Sequence, residues 1–371
     1  MSSLSSIPDT VRAVVASPDL GNPTVENLPF GTRQDIQNLG PYSVVVKNKA
    51  VGLNPTDYKH AHGDWSSKKP VVIGSDGAGE ALAVGSKVNH IKQGDRVAGM
   101  VYGASSEIQG SASEGLVYDA ANTWVMPAGM SDLEGASFTL PHLTAVQALY
   151  MRWKLAKPSS PDTSSPKKTI LIWGGSTSVG HHAVQLANLS GYRVFVTASS
   201  SNHSRLIELG ASECFDYKDS DVLDKIKKAA GSQGIFAAYD TASSNGSTEI
   251  CIDAIGPNGG NVISTLPPSD EIANRRKDVK VEFFLVYTTV GYAFKFANAF
   301  DFNAIPEDRE QSYEWMTKEL PLLLEGWKEG SGSPKYKPQA LRVEKGLERV
   351  QDGLRILEKG NYKAEKLVYS I

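Results

Sequence analysis

Apolar and polar positions change their texture twice along the chain. In the first third, short apolar runs are cut by Gly and Pro. Residues 11–16 read as a strand, and the Val-rich, partly alternating residues 42–53 as a longer one. Gly21-Asn22-Pro23, Gly40-Pro41, Asn54-Pro55 and Gly94-Asp95 mark turns. Residues 71–84 carry many small side chains, which predicts close packing or a tight bend near a site. Near residue 131 the period lengthens. Ser131 followed by Glu134 has the spacing of a helix capping box, and residues 144–155 have the apolar spacing of a buried helix. Residues 157–168, rich in Pro and Ser, read as an exposed loop.

From residue 169 strands and helices alternate. Strands are expected at 169–173, 192–198, 214–217, 235–240 and 260–264, with helices at 179–189, 204–209, 221–230 and 250–255 between them. That order implies a parallel sheet with right-handed crossovers. The most apolar stretch, 283–300, is interrupted by Thr288, Thr289, Lys295 and Asn298, so it reads as buried strand and pocket wall and not as a membrane span. The tail predicts a helix over 312–326, kinked or split by Pro321, a turn at 330–334, an amphipathic helix over 347–359 and a closing strand over 366–371.

A chain of 371 residues is long enough for two domains. Its net charge of −3 gives no basic surface for nucleic acid. Cys214 and Cys251 alone make neither a disulfide framework nor a cysteine-rich zinc site, and read as free thiols. The Ser-rich residues 1–14 lack the basic start and apolar run of a secretory signal, so a cytoplasmic setting is expected.

The strand at 169–173 runs straight into Gly174-Gly175-Ser176-Thr177-Ser178-Val179-Gly180, with a helix beyond. Strand, glycine turn and helix together are what a dinucleotide needs: a tight turn, backbone N–H groups near the pyrophosphate, and a helix N-terminus aimed at its charge. Thr177 stands where the middle glycine would be, so the match is imperfect. The second strand ends in Ser199-Ser200-Ser201-Asn202, with Arg205 just behind and no acid to bind ribose hydroxyls or repel a 2′-phosphate. This favours NADPH over NADH; the bland reading of the serines is a solvated turn.

Asn54-Pro55-Thr56-Asp57-Tyr58-Lys59, Gly74-Ser75-Asp76-Gly77-Ala78-Gly79, Gly85-Ser86-Lys87-Val88 and Gly94-Asp95-Arg96-Val97 follow one another in an order that resembles the medium-chain dehydrogenase/reductases over nearly the whole length. The zinc alcohol dehydrogenases of that family have Cys where Asn54 stands and His where Ser75 stands, and the four-Cys lobe is missing. The chain is therefore read as zinc-free, with His142 lining a pocket. Trp173-Gly174-Gly175-Ser176-Thr177, Phe215-Asp216-Tyr217 and Glu365-Lys366-Leu367-Val368 are similar to the fungal branch that includes the trans-acting enoyl reductases of polyketide pathways. The resemblance implies an α/β fold: a GroES-like, mostly β catalytic domain (1–147 and 300–371) plus a doubly wound parallel Rossmann domain (148–299).

It also implies roles. Thr56, Asp57, Tyr58 and Lys59 would lie at the nicotinamide end, and Ser176, Thr177, Ser178 and Val179 at the pyrophosphate. Ser199, Ser200, Ser201, Asn202 and Tyr217 would hold the 2′-phosphate end, while Thr265, Leu266, Tyr362 and Lys363 return to the cofactor. Lys59 would position the ribose or act near the carbonyl, and the Thr144 hydroxyl would bond the carbonyl oxygen, although a surface lysine and a helix-start cap are the bland alternatives. Val286, Tyr287, Thr288, Thr289 and Val290 would form substrate wall, or plain core. Asp57 is read as ordering its turn and Asp240 as structural. A zinc-free reductase lacks a Lewis acid, so conjugate reduction of an α,β-unsaturated carbonyl is the easier chemistry, with donors needed at the developing oxyanion. The expected function is NADPH-dependent enoyl reduction serving a fungal polyketide or polyketide-peptide synthase. The alternatives are a free-standing enone, quinone or aldehyde reductase, or a non-catalytic NADPH-binding protein. The substrate is a small molecule or a carrier-bound acyl chain; Lys68 and Lys69 would suit an acidic carrier but equally read as a solvated loop, and a monomer is favoured over a dimer.

Overall fold

A computed structural model describes residues 7–18, 22–63, 65–297 and 299–371. Gly21 and Asn298 of the sequence reading lie outside the described residues. Two compact units form, one from residues up to Leu140 together with those from Tyr287 onward, the other from Pro141 to Val286.

The first unit is built on antiparallel pairing, apart from the parallel pair Ala340–Lys345 and Glu365–Ser370. Its larger sheet runs Ala340–Lys345, Glu365–Ser370, Ser43–Gly52, Asp76–Val84, Arg96–Met100, Thr123–Val125, with Gly115–Asp119 also paired to Ser43–Gly52. A smaller sheet runs Thr24–Pro29, Thr10–Ala16, Val71–Val72. The small residues of Asp76–Val84 have a steric reason: a Cβ on Gly79 would sit 2.0 Å from the Lys47 carbonyl oxygen of the neighbouring strand. Helix Val350–Glu358 lays Val350, Leu354 and Leu357 into a core with Val14, Val51, Leu53 and Leu367, and each such side chain contributes about 1.5–3 kcal/mol by leaving water.

The second unit is a six-stranded parallel sheet ordered Glu213–Phe215, Arg193–Thr197, Thr169–Trp173, Ala237–Asp240, Gly260–Ser264, Val279–Phe283. The order reverses beside Thr169–Trp173, the strand that leads into the glycine turn, and ligands of open α/β sheets bind at such a point. All five residues of that strand are buried, as expected for a central strand covered on both faces.

Several expectations are corrected. Residues 283–300, expected as buried strand and pocket wall, hold several short elements: a strand ends at Phe283, a 3₁₀ turn covers Val286–Val290, and Phe294–Phe296 pairs with Phe300–Phe302. Tyr287 hydrogen-bonds Ser75 and Phe296 packs on Trp65, which ties residues from 287 onward to the first unit, so the division falls before 299/300. At the other boundary His142 packs on His182 and Tyr239 Oη donates to the Thr144 carbonyl, so the second unit begins before 148. The helix expected at 144–155 starts earlier, as Thr139–Val146, and continues as a π turn, Gln147–Arg152. Pro141 lies in its first turn, where no backbone N–H is needed. The tail helix runs Pro306–Glu314, then a π turn Trp315–Glu319, then Leu320–Leu324. The wide turn immediately precedes Pro321, whose missing donor breaks the regular ladder. Among the described residues no helix is long and apolar enough to cross a membrane.

Candidate functional site

In the first unit the candidate residues cluster on helix Pro55–His62. Pro55 opens it, and Asp57 turns back so that its Oδ2 accepts from the Asn54 backbone N–H at 2.7 Å. This is the ordering role expected of Asp57. Below the helix lies a buried polar network. Lys366 Nζ donates to Asn54 Oδ1 at 2.5 Å and to Asp76 Oδ2 at 3.2 Å; Asn54 Nδ2 donates to Asp76 at 2.9 Å, and the Leu140 N–H to its other oxygen at 2.6 Å. Ser75 Oγ donates to Asp57 Oδ1 at 3.2 Å and lies 3.0 Å from Tyr287 Oη, which donates to Thr56 Oγ1 at 3.4 Å.

The charges of this network nearly balance. One ammonium, Lys366, faces two carboxyls, Asp76 and Asp57, all out of solvent. Asp76 takes the ion pair, so ionising Asp57 would bury an uncompensated charge. Burial accordingly pushes Asp57 up to about 7, opposed by the Asn54 N–H and Lys366 and reinforced by Asp76. Burial also raises Asp76, while Lys366 and Asn54 pull it back. Asn54 and Ser75, the positions where zinc relatives carry ligands, are thus occupied by bonds to protein groups. Among the described residues no three His, Cys, Asp or Glu side chains converge as metal donors.

Lys59 is half-buried with its Nζ 4.5 Å from the centre of the Trp65 ring, so it is not a free-standing surface lysine. Tyr58 is half-buried on the same helix; burial, and then the nearby Tyr58, raises the pKa of the Tyr362 phenol. Lys363 is exposed beside Tyr362. His60, which the sequence reading passed over, is 4 % exposed, and burial lowers its pKa, which keeps it neutral. Its Nδ1 lies 2.8 Å from the Thr56 carbonyl oxygen and 3.2 Å from Thr56 Oγ1. A carbonyl only accepts, so Nδ1 carries the hydrogen.

Thr288 and Thr289 face protein and not an open wall. The Thr288 hydroxyl donates to Asp308, and Asn122 Nδ2 reaches the Thr289 carbonyl at 3.3 Å. Val286, Tyr287 and Val290 are buried as well.

In the second unit the glycine turn has the geometry of a phosphate cradle. Gly174 takes φ +84°, a conformation that suits glycine. A Cβ on Gly175 would meet Val196 Cγ1 at 2.2 Å, and one on Gly180 would meet the Gly174 carbonyl oxygen at 2.3 Å. Thr177 explains the imperfect fingerprint: it is the N-cap of helix Ser178–Leu189, its Oγ1 accepting from the Gly180 N–H at 2.9 Å and lying 2.9 Å from Thr241 Oγ1. Ser176 Oγ is buried with no partner, a donor waiting where the pyrophosphate would lie. Ser178 and Val179 form the open first turn, half-buried. The turn therefore fits a dinucleotide.

Ser199–Asn202 follow the second strand as an open 3₁₀ turn, where Ser199 Oγ donates to Tyr217 Oη at 3.4 Å. Asp216 was missed as a neighbour. Its carboxylate accepts from the Lys218 and Ser200 N–H groups, which hold its pKa below the usual range. Only the parallel pairing of the second and third strands brings it there. Thr265 and Leu266 are pinned by Ser243, whose Oγ accepts from both backbone N–H groups at 2.9 and 3.2 Å. Asp240 is structural: it accepts from Ser247 Oγ at 2.6 Å and Thr248 Oγ1 at 2.7 Å. Thr144 is half-buried inside helix Thr139–Val146, which removes its reading as a helix-start cap. His142 is fully buried, driven by desolvation down to about 3, and is core and not pocket lining.

Comparison with known proteins matches the chain to two family models. Residues 40–128 match the alcohol dehydrogenase GroES-like domain, and residues 178–304 the zinc-binding dehydrogenase domain. A trans-enoyl reductase of Macrophomina phaseolina (strain MS6) is 32% identical, covering 90% of this chain and 92% of the relative. One from Penicillium oxalicum (strain 114-2 / CGMCC 5302) is 30% identical, covering 92% and 93%. The solved structure of an alcohol dehydrogenase superfamily protein from Novosphingobium aromaticivorans shares the fold at a TM-score of 0.76 and 24% identity, covering 98% of this chain and 100% of that one. With its GroES-like and parallel dinucleotide-binding folds and relatives that span nearly its whole length, the chain belongs to the medium-chain dehydrogenase/reductase family, close to the fungal trans-enoyl reductases.

Proposed function

We propose that the protein is an NADPH-dependent, zinc-independent enoyl reductase. It reduces the C=C bond of an α,β-unsaturated acyl group in trans for a polyketide or polyketide-peptide synthase, as the names of its fungal relatives suggest. The observation that carries this reading is the fate of Asn54 and Ser75. Their side chains are committed to Lys366, Asp76, Asp57 and Tyr287 instead of standing open as metal donors. Without a Lewis acid, a conjugated alkene is the substrate whose reduction needs only alignment and hydrogen-bond donors.

When bound, the nicotinamide supplies the hydride that adds to the β-carbon. Ser176 and the N–H groups of the turn before helix Ser178–Leu189 hold the pyrophosphate. Ser199–Asn202, Tyr217 and Arg205 receive the 2′-phosphate. Lys59, steadied by Trp65, places a positive charge near the nicotinamide ribose or the substrate carbonyl, and the Thr144 hydroxyl donates to the enolate oxygen. Thr265, Leu266, Tyr362 and Lys363 border the cofactor. Lys68 and Lys69, both exposed, offer positive charge to an acidic carrier protein.

The test is NADPH consumption by the purified protein with a pantetheine-linked enoyl thioester and with a simple quinone. Turnover of the thioester, lost in Thr144→Ala or Lys59→Ala, supports the proposal. Turnover of the quinone alone replaces it with a free-standing reductase.

A further inference from the structure

Conjugate reduction needs a proton at the α-carbon, and the residues assigned so far leave its source open. The first unit holds a continuous run of oxygen atoms leading out of its buried network: Asp57 Oδ1, Ser75 Oγ, Tyr287 Oη and Thr56 Oγ1, at successive separations of 3.2, 3.0 and 3.4 Å. The inner end is fully buried; the outer end, Thr56, is half-buried. We infer that this run is the proton supply of the reaction, with Asp57 as the reservoir, Ser75 and Tyr287 as the relay, and Thr56 as the group that protonates the α-carbon. The inference rests on the enoyl-reductase reading.

The bonding at Thr56 sets the direction. A hydroxyl oxygen has two lone pairs and one proton. Thr56 Oγ1 accepts from Tyr287 Oη and shares the Nδ1–H of His60, so its two acceptor positions are taken and its own proton points elsewhere. The reservoir is chemically suited. Lys366 is already paired with Asp76, so a neutral Asp57 balances the network, and burial keeps it half protonated at about pH 7. The groups facing Asp57 are Asp76, Lys366 and Tyr287; on its own helix Lys59 is turned to Trp65, and His62 pairs with Glu358 of helix Val350–Glu358.

The step balances as a chain of hydrogen-bond exchanges. With Asp57 protonated, its O–H donates to Ser75 Oγ, the reverse of the bond that its carboxylate accepts, and this frees the Ser75 hydrogen for Tyr287. Asp57 then gives its proton to Ser75 Oγ as Ser75 gives its own to Tyr287, Tyr287 to Thr56, and Thr56 to the carbon. The enolate electron pair becomes the new C–H bond, each hydroxyl ends with the one O–H bond it began with, and Asp57 is left as a carboxylate. A solvent proton entering at Thr56 after product release restores it along the same run.

Two experiments test this. The first needs no cofactor: carbon NMR of aspartate-labelled protein should show a carboxyl that titrates near pH 7 and vanishes in Asp57→Asn. An Asp57 carboxyl that titrates in the ordinary aspartate range overturns the relay whatever the turnover. The second follows reduction of the pantetheine-linked enoyl thioester in heavy water. The wild type should place deuterium on one face of the α-carbon, with kcat falling as pH rises through about 7. Tyr287→Phe, and Ser75→Ala as a second break in the run, should lower kcat about 10²-fold, flatten that pH profile and scramble the α-deuterium. Either folded variant with wild-type kcat and one-faced deuteration overturns the relay. A wild type that reduces no enoyl thioester overturns instead the function on which it rests.

Discussion

Lys366 Nζ lies 3.2 Å from Asp76 Oδ2, although 290 positions separate the two residues, and both side chains are shielded from water. The terminal strand delivers the lysine to the floor beneath helix Pro55–His62, and the antiparallel pairing of Asp76–Val84 delivers the carboxylate. A cation buried in this way fixes which partner carboxyl is ionised, and through that it sets the proton state of Asp57.

Removing the cation alone should therefore be costly. Lys366→Met leaves Asp76 as an unpaired buried charge, a change that costs about 3–5 kcal/mol. The loss should be greater at pH 8 than at pH 5, because protonation of the carboxyls relieves it. Urea unfolding at the two pH values measures this, and an equal loss at both would mean that packing and not charge governs the site.

The wild type should carry its own pH signature from Asp57. Its carboxyl is raised from 3.8 to about 7 in the folded protein by burial. The folded state then binds the proton more tightly than the unfolded chain, so stability falls as pH rises between those values. The contribution is fully present below the unfolded value and is lost as pH passes through about 7. The urea midpoint should decline from pH 5 to pH 8, and Asp57→Asn should flatten that decline.

Local features of both units were legible in the sequence because they rest on short-range physics. Ser131 and Glu134 form the capping box that their spacing announces, with the Ser131 N–H reaching Glu134 Oε2 at 2.9 Å. The alternation of strands and helices after residue 169 likewise gave the parallel sheet. What stayed hidden was long-range. A lysine in a closing strand reads as surface until the fold places it over Asp76. Tyr287 reads as generic apolar wall until its hydroxyl is found beside Ser75, 212 positions away. Asp216 lies beyond the second strand in sequence, so a search for an acid at that strand's own end passes over it.

The glycine turn gives a test of close packing. In Gly175→Ala the new Cβ would lie 2.2 Å from Val196 Cγ1, on a buried strand that cannot yield. The substitution should cost about 1–3 kcal/mol and weaken NADPH binding. Val196→Ala removes the offending methyl, so the double variant should be more stable than the sum of the two single effects. Additive losses in thermal unfolding would show that the alanine strains the loop backbone and not the Val196 contact.

The end of the second strand gives a test of cofactor choice. Ser199 is half-buried there and its hydroxyl donates to Tyr217. An acid at this position would face the 2′-phosphate of NADPH but accept hydrogen bonds from the ribose hydroxyls of NADH. Like charges about 4 Å apart repel by about 1–4 kcal/mol between bulk water and a protein surface. Ser199→Asp should therefore raise the Kd for NADPH by at least about 10-fold while leaving that for NADH within a few-fold, read by titration of protein fluorescence. Asp216, already ionised beside Ser200, makes the effect additive with a charge that is present, so Asp216→Ala in the same background should recover part of the loss. A parallel weakening of both cofactors would place the 2′-phosphate somewhere other than this strand end.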